Sequence, residues 1–351
     1  MSYKAVQAVG DTVYWMECGP DGDVLVRRSA VPDEDPQSRW PDSRDAEKVL
    51  PAGFRVASNV HDYDAGAYLA TADDIWFCRA GDQRIYRARL GDSGPTPQPI
   101  TPEPPSPQSL RYADLQLIRA TNVLICVRER HERGEVVNEL VALPADGSAL
   151  PKVIVSGQDF YTSPAPSPDG RRLAWVSWDA PRKPWDGSRL WVADLSSDQT
   201  IENVTLVAGS DEESVCQPSW SPAGVLHFIS NRTGWWNLHS WRDGAVEPVV
   251  TGQFDLAQAP WKLGCRTYAH FGRVIVAIAQ DDGPWHHLVD TGWGKINYRS
   301  IDPQPVLQPY LALTSREAVT IMSSPGEQPM VCVNDLYDDV FYGTRALTHK
   351  N

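Results

Sequence analysis

Short apolar runs separated by turn-forming residues dominate the hydrophobic pattern of this chain. The stretch 167–195 reads SPDGRRLAWVSWDAPRKPWDGSRLWVADL, where two apolar runs, 172–178 and 189–195, flank a polar loop. A turn signal, SPDG, precedes the first run. The runs are rich in Val, Leu and Trp, are bounded by Gly, Pro and Asp, and lack the i, i+3, i+4, i+7 spacing of an amphipathic helix. The pattern therefore predicts β-strands.

The arrangement of apolar run, polar loop and apolar run recurs along the whole chain at intervals of roughly 40–50 residues. Copies occur at 10–29, 73–90, 122–143, 167–195, 220–241, 272–291 and 316–336. Several first runs, such as VLICV and VIVAIA, are apolar on both faces, as expected of strands packed between two other sheets. The repeats predict an all-β fold, a seven-bladed β-propeller of four-stranded antiparallel blades. A long β-sandwich or a solenoid is the alternative.

The repeats also predict a single propeller domain whose blades present two different faces. The expected blades span approximately 8–52, 66–101, 112–156, 160–208, 215–251, 256–301 and 304–345. In the fourth, SPDG joins the innermost strand to the second strand, and the loop 179–188 leads to the third. Because strands alternate in direction, the loops between second and third strands share one face with the blade-to-blade crossings. We call this the loop-rich face, and the face with the SPDG-type turns the plain face.

Composition narrows the possible functions. The formal net charge of −13 offers no basic stripe for phosphates, so nucleic acid is not an expected partner. No apolar run approaches the roughly eighteen residues that a membrane-spanning helix needs. The N-terminus lacks a charged segment followed by an apolar one, so no secretory signal is predicted. The six cysteines are far apart, without CxxC or zinc-like spacing, which favours a reducing cytoplasm and predicts neither metal nor cofactor.

Several separated motifs carry a resemblance to a known family. They are VHDYDAGAY (60–68), DQRIYR (82–87), RYADLQL (111–117), NELVAL (138–143), the stretch 160–195, QPSWSP (217–222) and NRTGWWNL (231–238). They resemble the propeller domain of bacterial prolyl oligopeptidase-family serine peptidases, in the acylaminoacyl-peptidase and dipeptidyl-aminopeptidase-like branch. The resemblance implies a propeller that caps an α/β-hydrolase domain and filters peptide substrates. In that family the catalytic Ser, Asp and His lie in the hydrolase domain.

The chain departs from the family pattern in four respects. Family enzymes continue for several hundred residues beyond the propeller, whereas this sequence stops at ALTHKN, and the usual N-terminal lead-in is missing. No G-x-S-x-G nucleophile elbow occurs, since GDSGP at 91–95 has the wrong order. Asp64 and Ala65 replace two glycines of the family's HxYGGG segment. We therefore expect half of a split peptidase, or a propeller with a separate role, that is not catalytic on its own.

The loop-rich face collects polar and aromatic residues from consecutive blades. Exposed aromatic side chains beside arginines are typical of binding hot spots. Such residues also cap turns or wedge neighbouring blades, which is the structural alternative. The candidates for ligand or partner binding are His61, Asp62, Tyr63, Arg84, Arg130, Tyr161, Arg182, Trp185, Asp186, Arg232, Trp235, Trp236, Asn237 and Trp285.

A different hypothesis is an enzyme that uses acid–base chemistry on a small molecule in a central pocket of the same face. Its candidate groups are His131, Glu132, Tyr161, Asp186 and His286. A metal site from His61, His131 and His286 is geometrically possible, but adjacent His286 and His287 would point to opposite faces of a strand. No metal is therefore predicted.

Three functional hypotheses remain open from the sequence. The first is a peptidase-derived propeller that binds a peptide or a partner protein, such as a separately encoded α/β-hydrolase, on its loop-rich face. The second is the acid–base enzyme, and the third is a scaffold without a ligand. The Pro-rich segment 94–109 is predicted to be an extended connection between the second and third blades.

Overall fold

The architecture is that of a ring of antiparallel sheets, seen in a computed structural model. The model describes residues 2–30, 46–63, 66–91, 96–283, 286–291, 296–299, 306–323, 326, 328–336 and 345–348. The described residues form seven sheets of four consecutive strands each, numbered β1 to β28 in chain order. The predicted seven-bladed β-propeller is thus confirmed.

The first three blades follow one another without exchanging strands. Blade 1 contains β1 to β4, at Ser2–Val9, Thr12–Cys18, Val24–Ser29 and Glu47–Lys48. Blade 2 contains β5 to β8, at Tyr68–Ala70, Asp74–Cys78, Ile85–Arg89 and Gln98–Pro99. Blade 3 contains β9 to β12, at Leu110–Ile118, Val123–Glu132, Glu135–Pro144 and Lys152–Val155. A short 3-10 helix, Val60–Asp62, lies in the crossing from blade 1 to blade 2.

The remaining four blades repeat this arrangement. Blade 4 contains β13 to β16, at Phe160–Pro166, Arg172–Trp178, Arg189–Leu195 and Ile201–Gly209. Blade 5 contains β17 to β20, at Val215–Trp220, Leu226–Ser230, Asn237–Arg242 and Ala245–Val250. Blade 6 contains β21 to β24, at Tyr268–Phe271, Val274–Gln280, His286–Asp290 and Asn297–Arg299. Blade 7 contains β25 to β28, at Val306–Leu313, Glu317–Ser323, Met330–Asp335 and Arg345–Ala346. The second and third strands of blade 4 are those predicted from the apolar runs.

The hydrophobic core consists of seven clusters, one between each pair of adjacent blades. Between blades 3 and 4, for example, Ile125 of β10 packs with Leu173 and Trp175 of β14. Each middle strand therefore faces apolar neighbours on both sides, which explains why its sequence does not alternate. Burial of each large side chain contributes about 1.5–3 kcal/mol, so the stability of the ring is distributed around its circumference.

In the described part of the chain, side-chain contacts close the ring between blades 1 and 7, and the two blades share no strand. Asp11 Oδ1 accepts hydrogen bonds from the Ser315 amide at 3.1 Å and from Ser315 Oγ at 2.5 Å. Arg28 Nη1 donates to the Leu347 carbonyl at 3.1 Å. Trp15 and Val331 belong to the apolar cluster beneath these contacts. Packing and a few polar contacts thus replace main-chain pairing at the closure.

The cysteines and the helical content add two further observations. All six cysteines are free thiols, and Cys78, Cys126, Cys216 and Cys332 are buried in the blades. Among the described residues, no helix has the length and apolar character needed to cross a membrane.

Candidate functional site

A central channel, surrounded by the innermost strands, is divided into two cavities. The first, of about 340 Å³, opens on the loop-rich face and is lined by residues that include Tyr3, Ser163, Gln217, Gln258, Trp261 and Tyr310. We call it the mouth cavity. The second, of about 390 Å³, lies towards the plain face, beside residues 5–8, 66–70 and 114–116. We call it the plain-face cavity. The mouth cavity lies within the size range of small-molecule sites, roughly 300–1,000 Å³.

Two glycines and a buried carboxylate separate the cavities. The crossing from blade 5 to blade 6 reaches across the channel, so that a Cβ added to Gly264 would lie 2.9 Å from Gly66 Cα. A Cβ added to Gly66 would lie 2.6 Å from Asp114 Oδ1. Leu263 of the same crossing is buried in the core with Val60. Gly66, Gly264 and Asp114 line the plain-face cavity and none of them lines the mouth cavity, so they form the partition between the two cavities, which we call the floor.

Asp114 is held by the neighbouring blade. Its Oδ2 accepts hydrogen bonds from the Ser163 amide at 2.9 Å and from Thr162 Oγ1 at 3.1 Å. Burial raises the pKa of Asp114, although these hydrogen bonds to the carboxylate act in the opposite direction. Asp114 and Ser163 both have positive φ, 54° and 53°, at irregularities of their strands. The strands therefore direct this carboxylate across the channel.

The rim of the mouth cavity is aromatic. The rings of Tyr63 and Trp261 meet edge-to-face with centroids 5.3 Å apart, and both side chains are exposed. Lys262 Nζ lies 4.6 Å from the centroid of the Trp261 ring. Tyr63 was predicted from the sequence, whereas Trp261 and Lys262 were missed. The available signal was the tryptophan and lysine in APWKLG (259–264), which the sequence placed inside the sixth blade, whereas in the structure this stretch precedes β21 and belongs to the crossing.

A charged cluster lies beside the rim, between blade 3 and the crossing from blade 1 to blade 2. The buried Glu129 carboxylate contacts Arg111 Nη1 at 3.0 Å and His131 Nε2 at 2.6 Å, and it accepts a hydrogen bond from the His61 amide at 2.9 Å. Arg111 also contacts the exposed carboxylate of Asp62 at 2.9 Å. The cluster thus connects three of the predicted residues, His61, Asp62 and His131, through two residues that were not predicted.

The His61 ring packs between aromatic side chains. Its centroid lies 5.2 Å from that of Phe160 and 5.8 Å from that of Trp178. Burial lowers the pKa of His61, since the protonated ring would lose its hydration. The neutral imidazole fixes the crossing between blades 1 and 2 in place.

Among the residues whose side chains the structure describes, the proposed acid–base groups do not line the mouth cavity together. Glu132 pairs with Arg130 on the blade 3 hairpin, next to His131, and none of these three lines the mouth cavity. Asp186 Oδ2 accepts a hydrogen bond of 3.2 Å from the Lys183 amide within its own loop. His286 begins β23, but its side chain lies outside the described part of the chain. Among the described residues, no group of three or more His, Cys, Asp and Glu side chains is placed to hold a metal ion.

The structure corrects the placement of two candidates. Tyr161 has an exposed fraction of 0%, lies in the core between blades 3 and 4, and accepts a hydrogen bond from the Gln158 amide at 2.8 Å. Asn237 is 1% exposed, and its Nδ2 donates to the Phe254 carbonyl at 2.9 Å. Neither is accessible on the loop-rich face, because each belongs to a strand position that faces the interior.

The other candidates lie at the outer part of the face. Trp185 is exposed, whereas Trp235 and Trp236 are half-buried. Arg182 pairs with Asp211 at 2.7 Å and Arg232 with Glu213 at 2.8 Å. Arg84 Nε donates to the Thr101 carbonyl at 2.9 Å, which fixes its loop. Trp285 lies outside the described residues.

The thiols at the mouth cavity are not poised for nucleophilic chemistry. Cys18, Cys216 and Cys265 line it. Burial raises the pKa of Cys18 and of Cys216, and it raises the pKa of Cys265 to about 12. All three groups are thus protonated thiols near neutral pH, and a thiol is a far weaker nucleophile than a thiolate.

The free energy of unfolding should depend on pH because of a histidine, His270, that lines the plain-face cavity. The ring of His270 lies 4.8 Å from that of His227, and burial lowers the pKa of His270 from 6.5 to about 4. The unfolded chain therefore takes up a proton at higher pH than the folded chain, so the free energy of unfolding should fall as the pH decreases from 6.5 towards 4. Urea unfolding at several pH values across this range should show a smaller fall in the free energy of unfolding for His270→Phe than for the wild type. Equal falls would contradict the assignment.

Comparisons with known proteins agree with this fold. Neither the protein-family models nor the curated proteins contain a match. Among solved structures, a puromycin hydrolase is 27% identical, with a TM-score of 0.88, over 100% of this chain and 54% of its own. A Mycobacterium tuberculosis puromycin-hydrolyzing peptidase is 26% identical, with a TM-score of 0.85, and the match covers 99% of this chain and 54% of the peptidase. Prolyl oligopeptidase B from Galerina marginata is 12% identical, with a TM-score of 0.66, and the match covers 100% of this chain and 51% of that protein. At this identity the similarity shows a shared fold alone.

The match extends along the whole sequence. The chain spans about half the length of the solved proteins to which it is similar. The part of them that it matches corresponds to all seven blades described above. In agreement with the sequence resemblance, this chain is similar along its length to the β-propeller part of these peptidases, and it shares its fold with prolyl oligopeptidases.

Proposed function

We propose that this chain is the propeller part of a peptidase-type assembly and that its loop-rich face docks onto an α/β-hydrolase unit, on the same polypeptide or on another. In the family that the sequence resembles, the propeller caps such a unit. The similarity to a puromycin hydrolase and to a puromycin-hydrolyzing peptidase supports peptide-like substrates for the assembly. In this proposal the propeller binds and positions the substrate, and the hydrolase unit carries out the hydrolysis.

One observation carries the proposal. Among the described residues, the large aromatic side chains of Tyr63, Trp185 and Trp261 stand out as exposed, at 42%, 37% and 40%, and all three lie on the loop-rich face. Val136, at the tip of the hairpin between β10 and β11, extends the same surface. Aromatic side chains concentrated on one face are typical of protein interfaces, where they form energetic hot spots.

The charged residues around these aromatics suit a polar rim. Arg182 and Arg189 share Asp211, and Arg232 pairs with Glu213. Exposed ion pairs of this kind stabilise the free chain by only about 0–1 kcal/mol, so they can be exchanged for pairs with a partner at little cost. A partly apolar centre with a charged rim is the usual anatomy of an interface.

The proposal predicts which variants weaken docking. The probe is the part of the puromycin hydrolase that this chain does not match, produced as a separate, folded polypeptide. By titration calorimetry, Trp185→Ala and Tyr63→Ala should each weaken binding about tenfold or more, because truncation of an interface aromatic removes a hot spot. Leu150→Ala is the matched control, because Leu150 is an exposed apolar residue on the plain face, between β11 and β12.

Two results would contradict the docking surface. One is unchanged affinity of both aromatic variants while wild type binds the probe. The other is a loss of affinity in Leu150→Ala as large as that in Trp185→Ala, which would place the interface elsewhere.

A further inference from the structure

The mouth cavity differs in charge from the rest of the chain. The whole sequence has a formal net charge of −13, yet among the described residues the lining of the cavity contains Lys4 and Lys262 and no aspartate or glutamate, while the Asp114 carboxylate lies in the floor behind Thr162 and Ser163. Lys4 is neutralised by Asp23, whose carboxylate lies 2.5 Å from Lys4 Nζ. Lys262 is the remaining charge in the described lining, so its ammonium gives the mouth of the cavity a local positive site on an acidic protein.

The Lys262 ammonium is held without an acidic partner. Its Nζ lies over the Trp261 ring, 4.6 Å from the centroid. Among the residues that the structure describes, it makes no salt bridge. Lys262 is exposed, and an aromatic face accepts no conventional hydrogen bond, so the three N–H groups of the ammonium are open to water or to a ligand.

A second donor faces the same cavity. Gln217 lines it at 9% exposure, and its Oε1 accepts hydrogen bonds from the Thr267 amide at 2.7 Å and from Thr267 Oγ1 at 3.0 Å. These two bonds fix the side-chain amide through its oxygen. The Nε2 group has no hydrogen-bond acceptor among the described residues and is left to donate to a ligand.

The floor limits how far a ligand can extend along the channel from the mouth cavity. Gly66, Gly264 and Asp114 separate the mouth cavity from the plain-face cavity, so an extended chain cannot continue through the channel at this level. A ligand that fills the cavity therefore ends there. The exposed Tyr63–Trp261 pair at the rim offers an apolar surface to the part of the ligand that lies at the opening of the cavity, away from the floor.

From these observations we infer that the mouth cavity binds the C-terminal carboxylate of a peptide. Lys262 Nζ supplies the charge and Gln217 Nε2 a hydrogen bond, while Trp261 packs against the apolar side chain of the terminal residue. Both donors suit a group that is anionic and has acceptor oxygens only, as a carboxylate does. The inference rests on the proposed function in that the cavity opens on the proposed docking face.

The test compares a peptide acid with its amide. Titration calorimetry of the whole chain should show N-acetyl-alanyl-phenylalanine binding about tenfold more tightly than its C-terminal amide, since a charge-assisted contact is lost in the amide. Lys262→Met should abolish this preference and Lys262→Arg should retain it. Lys183→Met is the control, because Lys183 is an exposed lysine of the same face that does not line the cavity. Added salt should weaken binding of the acid more than that of the amide.

Three results would overturn the inference. They are equal affinities of acid and amide for the wild type, an undiminished preference in Lys262→Met, and no detectable binding of the acid at millimolar concentration. Because the measurement uses the chain without any hydrolase unit, each of these can occur while docking is intact. Conversely, loss of docking in Trp185→Ala leaves the preference for the acid unaffected.

Discussion

Replacement of Gly66 by alanine is expected to lower the free energy of unfolding by about 3 kcal/mol, the sum of a strained backbone and an overpacked site. Gly66 has φ +69°, a conformation that disfavours L side chains. The new Cβ would lie 2.6 Å from Asp114 Oδ1 and 2.9 Å from the Asp114 amide nitrogen. Asp114 cannot move aside without breaking its hydrogen bonds to Thr162 and Ser163.

Gly10→Ala provides the matched control for this variant. Gly10 also has positive φ, +57°, but nothing lies within 4 Å of the position its Cβ would take. Only the backbone penalty of about 1 kcal/mol should remain. Urea unfolding of both variants isolates the contribution of the floor, and equal losses would show that the channel is not closed at Gly66.

Glu129→Met is expected to be similarly destabilising, by about 3 kcal/mol, because it removes the buried partner of a largely buried cation and leaves it only the exposed carboxylate of Asp62. Glu129 is buried and contacts Arg111, which is itself largely buried. Arg111 Nε already lacks a hydrogen-bond partner, so the guanidinium depends on its remaining contacts. The loss of Glu129 also removes the acceptor of the His61 amide, and the crossing that carries Tyr63 should loosen.

The double variant Arg111→Met/Glu129→Met distinguishes an ion-pair effect from a packing effect. Removal of both charges should restore a large part of the lost free energy, since a buried ion pair exchanged for apolar side chains is often close to neutral. Denaturant unfolding of the two single variants and the double variant forms a complete cycle. Additive losses, with no recovery in the double variant, would contradict the assigned role of the pair.

The fold was accessible from the sequence because each blade carries its own local signal. Runs such as 172–178 are apolar on both faces, and Gly, Pro and Asp mark their ends, so strands and turns repeat without reference to distant residues. The resemblance to peptidase propellers rests on the same segments. Ring closure between Asp11 and Ser315, in contrast, has no local signature.

The candidate site was only partly predictable, because burial within a loop or strand depends on neighbouring blades. Tyr63 and Trp185 are exposed on the predicted face, but Tyr161 and Asn237 occupy inward-facing strand positions that a loop-based assignment could not distinguish. Trp261 was missed because its crossing reaches over the channel to meet Tyr63, a contact between residues 198 positions apart in the chain, as the difference 261 − 63 gives.

The central claim, docking through the loop-rich face, is tested most directly by amide hydrogen exchange of this chain with and without the unmatched part of the puromycin hydrolase. We expect slowed exchange in the loops between second and third strands and in the crossings, including 60–63, 181–187 and 258–265. The turns of the plain face, such as 167–170 and 145–151, should exchange at the same rate in both samples. Protection of the plain-face turns, or none on the loop-rich face when the complex forms, would contradict the account.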